Sequence, residues 1–207
     1  MKFASFCLLM LALTISGMAQ SPKFSYSAQK KFIHPDLGKV YLGMPLKEFA
    51  ELIPIGKAEA DGRFEFLQLD VPFETKNIKS ISIRAHDISR EEMRDMLLSE
   101  TETAKSDDGE EYDRTVERIE IEKIPKTAFV YAIYISFKPK YDLKSYVTKT
   151  FGEGEVRKPD DEFYFFDIQW TKTSSDGLKW LIRSFHEGDS RSLQLLGRID
   201  NTEWGLN

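Results

Sequence analysis

The sequence predicts an exported α+β protein in which helices pack on an antiparallel sheet. Three observations support this: an apolar leader at the N-terminus, three segments in which apolar residues recur at helical spacing, and a run of alternating strands near the C-terminus. That run, residues 163–199, divides into predicted strands at 163–172, 178–186 and 193–199. Turn residues separate the strands, so the segment is predicted to be an antiparallel meander.

Residues 1–19 have the pattern of a secretory signal peptide. Lys2 precedes a short apolar run at 6–15, and small residues follow at the expected cleavage site. The run is shorter than the roughly 20 residues that a membrane-spanning helix needs. Cys7 stands at the start of the run, where it cannot serve as the lipid-bearing cysteine of a bacterial lipoprotein. The sequence therefore predicts a periplasmic or secreted protein with neither disulfides nor a transmembrane segment.

Acidic residues concentrate in one segment of the chain. The whole sequence has a net charge of −5, whereas residues 91–122 contain 13 acidic and 4 basic residues, a net charge of −9. This segment repels the phosphate backbone of nucleic acids, so nucleic acid is not a predicted partner.

The order of the predicted elements divides the mature chain into three parts. Residues 20–37 are polar and show neither helical nor strand periodicity, and they are predicted to form a loose N-terminal arm. Residues 38–125 are predicted to form a first α+β unit with an acidic insertion. Residues 126–207 are predicted to form a second α+β unit.

The first unit opens with a short predicted strand at 37–42. A helix follows with Pro45 at its first position, where proline is favoured, and it extends to residue 53. Two strands are predicted next, at 64–71 and 78–86. The apolar residues of the first of these change face, which predicts a β-bulge near Phe66.

The acidic insertion begins with the clearest helix start in the chain. Ser89 and Glu92 have the spacing of a capping box, in which each side chain bonds the other residue's backbone N–H. The helix is predicted to fray by Ala104, ahead of turn residues at 106–109. Residues 114–124 alternate between charged and apolar types, which predicts an exposed or edge strand.

The second unit contains the predicted central strand. Residues 127–137 are apolar on both faces, which is typical of a strand buried between two layers. A helix is then predicted from the N-cap Asp142 to Phe151, with Gly152 as its C-terminal stop.

The two units have similar helices. Leu46, Phe49 and Ala50 align with Leu143, Tyr146 and Val147 at a constant offset of 97 residues, which suggests tandem helix-plus-meander units. Residues 38–44, Gly-Lys-Val-Tyr-Leu-Gly-Met, lie directly before the first helix and resemble the opening of the outer-membrane assembly lipoprotein family BamE (SmpA/OmlA). The resemblance implies a fold like that of β-lactamase-inhibitor protein, in which α+β repeats bind proteins without catalysis.

The aromatic residues of the meander are candidates for a binding patch. Tyr164, Phe166, Trp170 and Trp180 could cover an open sheet face, although strands that pack against a helix carry the same residue types in a core. A two-residue turn at Asp176-Gly177 would let Arg183 stack on Trp170. A four-residue loop is the alternative, and it would shift the register.

The sequence contains no motif for a specific chemistry. There is no Gly-x-Ser-x-Gly sequence and no glycine-rich phosphate loop, and no cofactor is predicted. The function predicted is therefore an exported, non-catalytic binding protein of the bacterial cell envelope or exterior, recognising a protein or an envelope component. The alternative is a periplasmic metal-binding protein or enzyme that uses His86 and His186, each of which precedes an acidic residue.

Overall fold

The computed structural model describes residues 29–61, 66–71, 73–86, 88–106, 108–156, 167–173 and 179–198. The protein contains both helices and antiparallel sheets, and strands predominate. The helices described are α1 (Leu46–Leu52), α2 (Arg90–Met96) and α3 (Leu143–Phe151). The strands are β1 (Lys57–Asp61), β2 (Phe66–Val71), β3 (Ile78–His86), β4 (Leu97–Lys105), β5 (Glu111–Ile119), β6 (Phe129–Phe137), β7 (Glu155–Val156), β8 (Ile168–Thr173), β9 (Lys179–Glu187) and β10 (Ser190–Arg198).

Eight strands form one antiparallel sheet in the order β1-β2-β3-β6-β10-β9-β8-β7. The strands β4 and β5 pair only with each other and form a separate hairpin, here called the hairpin arm. Strand β6 lies between β3 and β10, near the middle of the sheet. The prediction of a central strand is therefore confirmed for Phe129–Phe137, although Tyr134 and Ser136 on one of its faces are only partly buried.

Side-chain hydrogen bonds cap the N-termini of α2 and α3, and a glycine ends α3. Ser89 Oγ accepts a hydrogen bond from the Glu92 N–H at 3.1 Å, and Glu92 Oε2 accepts one from the Ser89 N–H at 2.8 Å. The predicted capping box is thus confirmed. Asp142 caps α3 as predicted by accepting from the Ser145 N–H at 3.0 Å, and Gly152 ends α3 with a φ of 77°.

Buried residues of the helices and of the sheet belong to one large hydrophobic cluster. Phe49 from α1 and Val147 from α3 belong to the same buried cluster as Ile133 from β6 and Leu195 from β10. Phe49 is buried, as expected, whereas its predicted equivalent Tyr146 is only partly buried.

Part of the predicted N-terminal arm belongs to this core. The Gln29 side chain donates to the Leu42 carbonyl at 2.9 Å and accepts from the Leu42 N–H at 2.7 Å. Phe32 and His34 are buried as well. The arm is therefore not loose from Gln29 onward, because its apolar residues cover the core; residues 20–28 lie outside the described residues.

The elements on either side of α1 also differ from the prediction. No strand forms at 37–42, where a 3₁₀ turn at Pro35–Leu37 is followed by irregular chain. Pro45 is the N-cap of α1, one position before the first helical residue. The pairing of β2 with β1 runs without a break from Phe66 to Asp70, so no bulge lies in that stretch, and residues 62–65 lie outside the description.

The predicted helix of the acidic insertion is much shorter than expected. It ends at Met96, and Leu97–Lys105 is strand β4, paired along its whole length with β5. Strand β5 in turn begins at Glu111 and ends at Ile119, ahead of a 3₁₀ turn at Ile121–Lys123. The alternating Thr and Glu residues of β4 suit an exposed strand with a partner. The partner is β5, which begins 14 positions after the start of β4.

The meander at the C-terminal end is present with a different register. Trp170 faces Ile182 and Gln169 faces Arg183 across β8 and β9. The last pair, Thr173 with Lys179, leaves residues 174–178 as the connection, which is longer than either predicted turn. The part of the first predicted strand at 163–166 lies outside the described residues.

Candidate functional site

The two faces of the large sheet differ in composition. Residues such as Ile83, Ile133 and Leu195 point to the core face, and they are completely buried. Because successive side chains of a strand point to opposite faces, their neighbours form the other face. We call the following residues of that side the open face: Ser80, Ser82, Arg84, Tyr134, Ser136, Ser192, Gln194, Arg183, Gln169 and Thr171.

Cross-strand pairs arrange the open face in rows. One row of hydroxyl groups runs from Ser80 through Ser136 to Ser192. The next row extends across five strands and reads Ser82, Tyr134, Gln194, Arg183 and Gln169. All members of these rows are exposed or partly exposed. The open face is therefore a polar surface rich in hydrogen-bonding groups.

Two arginines stand on this face in comparable positions, one in each half of the sheet. Arg84 of β3 lies over the Tyr134 ring, with its guanidinium carbon 5.3 Å from the ring centre. The Arg183 Nε of β9 donates to Gln169 Oε1 at 2.9 Å. These contacts already hold both guanidinium groups along the face. A partner that binds them would therefore cost less side-chain entropy than one that binds freely rotating arginines.

Apolar residues occupy one end of the same side. Tyr131, Ala132, Leu181 and Leu196 form a second buried cluster, and Phe129 and Tyr134 pack against it. This small cluster borders the polar rows, and its four residues are already buried within the protein.

A cleft of about 1220 Å³ lies between the hairpin arm and the large sheet. Hydroxyl groups of Ser80, Ser82, Tyr134 and Ser136 line its sheet side, so the cleft includes one end of the open face. The other described lining residues come from the hairpin arm and its base, the segment between α1 and β1, and the end of the core: Ala50, Pro54, Ile55, Gly56, Val71, Ile81, Glu102, Arg114, Thr115, Glu117, Arg118, Ile119 and Ile121.

Ion pairs run across the outer part of the hairpin arm. Arg114 Nε donates to Glu102 Oε1 at 2.7 Å, and Arg118 lies 3.2 Å from both Glu100 and Glu102. The hydrogen bond from Arg114 and the positive charges of both arginines lower the pKa of Glu102. Arg114, Arg118 and Glu102 of the cleft wall are thus paired with one another within the hairpin arm.

Two of the predicted binding-patch residues face the core. Trp180 is fully buried, and Trp170 is buried with its Nε1 donating to the Gly152 carbonyl at 3.0 Å. The proposed exposed patch is wrong for these two, because the register turns both indoles toward the helices. Arg183 does lie on the open face, but Trp170 points to the opposite side and cannot stack on it. Tyr164 and Phe166 lie outside the described residues.

The two histidines of the alternative metal site are far apart in the sheet. Strands β3 and β9 run in opposite directions, so His86 and His186 lie near opposite ends of the sheet. His86 stacks on Phe129, with 5.3 Å between ring centres, and His186 Nδ1 lies 3.4 Å from Asp167 Oδ2. A shared site is therefore contradicted, and no group of three metal-ligating side chains occurs within the described ranges.

A third histidine, His34, anchors the N-terminal segment. Its Nδ1 accepts from the Asp36 N–H at 3.2 Å, and its Nε2 lies 2.9 Å from Tyr141 Oη. Burial lowers the pKa of His34, while burial and the nearby Asp36 carboxylate raise the pKa of Tyr141 to about 12. Both groups are therefore neutral near pH 7, and their hydrogen bond holds the segment against the core.

The cleft is the feature that the sequence did not predict. Its outer wall was expected to be partly helical, and its sheet side consists of serines that carry no signal in a sequence. The alternation of Glu100, Thr101, Glu102 and Thr103, followed by the turn residues at 106–109, was the available sign of a hairpin.

Comparisons with known proteins found no matching family model, no matching curated protein and no matching solved structure. In the part of the chain that the structure describes, no helix combines the length and the apolar composition needed to cross a membrane.

Proposed function

We propose that this chain is an exported, non-catalytic binding protein of the bacterial cell envelope or exterior, and that it recognises another protein through the open face. The observation that carries the proposal is the contrast between the two sides of the sheet. One side is buried under the helices and the N-terminal segment, and the other presents rows of hydroxyl, amide and guanidinium groups.

The chemistry of the open face favours binding over catalysis. Its serine, threonine, glutamine and tyrosine side chains donate and accept hydrogen bonds, its arginines only donate them, and none of these groups acts as a general base near pH 7. None of the described histidines belongs to the rows. A surface of this kind can supply the polar hydrogen bonds of a protein interface.

We further propose that the sheet consists of two related halves, in line with the resemblance to BamE-like and β-lactamase-inhibitor-protein-like folds. Each half supports this by its order: β1, β2, β3 and β6 follow one another from one edge to the centre, as β7, β8, β9 and β10 do from the other edge. A helix precedes each series, α1 before β1 and α3 before β7. Strand β6 then completes the first unit instead of opening the second.

Export can be tested separately from binding. We expect the protein isolated from a bacterial envelope or culture fluid to begin near Gln20, because residues 1–19 have the pattern of a cleaved signal peptide. N-terminal sequencing of the isolated protein measures this directly. A chain that remains in the cytoplasm and still begins at Met1 would contradict export.

The binding role is tested by photo-cross-linking in intact cells. A photoreactive phenylalanine analogue is placed at Ser82, Gln194 or Thr171 on the open face, and at Lys149 as an exposed control on the outer side of α3. We expect a discrete protein adduct from open-face positions and none from Lys149. Equal labelling from all positions, or adducts only from the helix side, would overturn the proposal.

A further inference from the structure

We propose that the cleft between the hairpin arm and the large sheet binds one extended segment of the partner protein, with the arm as its outer wall. This inference rests on the proposed function, because it assigns the chemistry of the partner at one end of the open face. The size of the cleft supports a polypeptide ligand. Its volume of about 1220 Å³ exceeds the roughly 300–1,000 Å³ of common small-molecule pockets and leaves room for a piece of polypeptide.

The distribution of polar and apolar groups in the cleft matches an extended chain. Hydroxyl groups of Ser82, Tyr134 and Ser136 stand on the sheet side, whereas Ile55 and Ile119 are apolar residues among the remaining walls. An extended peptide points successive side chains in opposite directions. A segment that alternates apolar and small polar residues would therefore satisfy both kinds of wall at once.

The charges of the cleft favour a partner segment without strong net charge. The described lining contains two arginines, Arg114 and Arg118, and two glutamates, Glu102 and Glu117. Arg114 and Arg118 already bond to Glu102. These four charges sum to zero, but the arm belongs to the acidic segment 91–122, so a phosphate would be repelled. Backbone amides and carbonyls of a peptide would find hydroxyl donors and acceptors in the cleft.

Two other ligand classes fit the lining less well. A sugar ring usually stacks on an exposed aromatic face, and Tyr134, the aromatic residue among the described lining, already carries Arg84 over its ring. A lipid chain requires walls without polar groups, whereas the hydroxyl groups of Ser80, Ser82, Tyr134 and Ser136 stand on the sheet side beside the apolar Val71 and Ile81. Both classes serve as alternatives in the test.

The test uses the purified protein and a phage-displayed library of random 12-residue peptides. Enriched peptides are synthesised, and their affinities are measured by fluorescence anisotropy for the unmodified protein and for two variants. Ser136→Trp fills the cleft from its sheet side. Lys149→Trp adds the same side chain at an exposed position of α3, outside both the cleft lining and the open face. Circular dichroism checks that both variants are folded.

We expect enriched peptides to alternate apolar and polar residues, and Ser136→Trp to weaken their binding at least about tenfold while Lys149→Trp changes it less than about twofold. Failure to enrich any peptide, equal weakening by both variants, or saturable binding of a chito-oligosaccharide or of lauric acid that Ser136→Trp abolishes would overturn the inference. The open face could still cross-link from Thr171 and Gln194 in that case, so failure of this inference differs from failure of the proposed function.

Discussion

Single polar residues hold the N-terminal segment of this protein in its core. The His34 imidazole is almost completely buried and contacts the rings of Phe137, Tyr141 and Tyr146, with ring-centre distances of 5.0–5.6 Å. Asp36 continues the network by accepting hydrogen bonds from Thr75 and Asn77. A charged imidazole would lose its hydration among these rings, so the neutral form is the one that the fold stabilises.

This arrangement predicts a pH-dependent contribution to stability. The pKa of His34 is lowered by burial in the folded protein and returns to about 6.5 in the unfolded chain. The unfolded state therefore binds more protons below pH 6.5. The contribution of His34 to the free energy of unfolding is present above that pH and is lost as the pH falls toward the folded-state pKa.

Urea unfolding of the natural protein and of His34→Gln at pH 7.5 and pH 5.5 measures this effect. We expect the natural protein to lose more stability than the variant between the two pH values, because glutamine does not titrate. The other titratable groups are common to both proteins, so the difference isolates His34. Equal losses would show that His34 does not titrate with folding.

At the scale of elements, the ends of helices were predictable where they depend on hydrogen bonds between residues close in sequence. The capping box at Ser89 and the N-cap Asp142 were predictable because each bonds a backbone group three residues away. The strand β4 was not, since it is stabilised by pairing along its whole length with β5, beyond the three- or four-residue reach of the contacts that form a helix. The Glu and Thr residues of β4 follow α2 directly and are compatible with either structure until that partner is known.

The capping box predicts a measurable contribution. Ser89→Ala removes the acceptor for the Glu92 N–H, so we expect the free energy of unfolding to fall by about 1 kcal/mol in urea denaturation. Ser99→Ala, at an exposed position in β4, is the matched control and should change it by less than about 0.5 kcal/mol. Equal effects from both substitutions would count against the cap.

The hairpin arm should be removable without loss of the fold. The Glu120 N–H donates to the Met96 carbonyl at 2.8 Å, and Leu97 faces Ile119, so the two ends of the arm are adjacent. Replacing residues 98–118 by Asn-Gly, which suits a two-residue turn, should change the free energy of unfolding by less than about 2 kcal/mol. The same replacement should abolish peptide binding in the cleft.

Thermal unfolding and fluorescence anisotropy with an enriched peptide measure the two outcomes. The matched control replaces only residues 106–110, the tip of the arm, by Asn-Gly and should retain binding, because those residues do not belong to the described cleft lining. Peptide binding that survives removal of the whole arm would exclude the arm as a wall of the site.

On the scale of the whole molecule, the α+β class and the central strand followed from apolar patterning, while the open face did not. Its serines and glutamine are ordinary surface residues in the sequence, and only the register places them in rows. The tryptophans could not be placed on a face for the same reason. A shift of one residue in register exchanges the two faces of a strand, and the sequence of the connection at 174–178 is compatible with more than one turn type.

The central claim is that the sheet has one covered face and one open face. Cysteine labelling of the free protein in a Cys7→Ser background tests it most directly, with adjacent residues compared in each half of the sheet: Ser80→Cys with Ile81→Cys in β3, and Ser192→Cys with Leu193→Cys in β10. We expect fast reaction with a maleimide reagent at positions 80 and 192. We expect slow reaction at positions 81 and 193, where the side chains are buried. Equal rates within each pair, or faster reaction at 81 and 193, would contradict it.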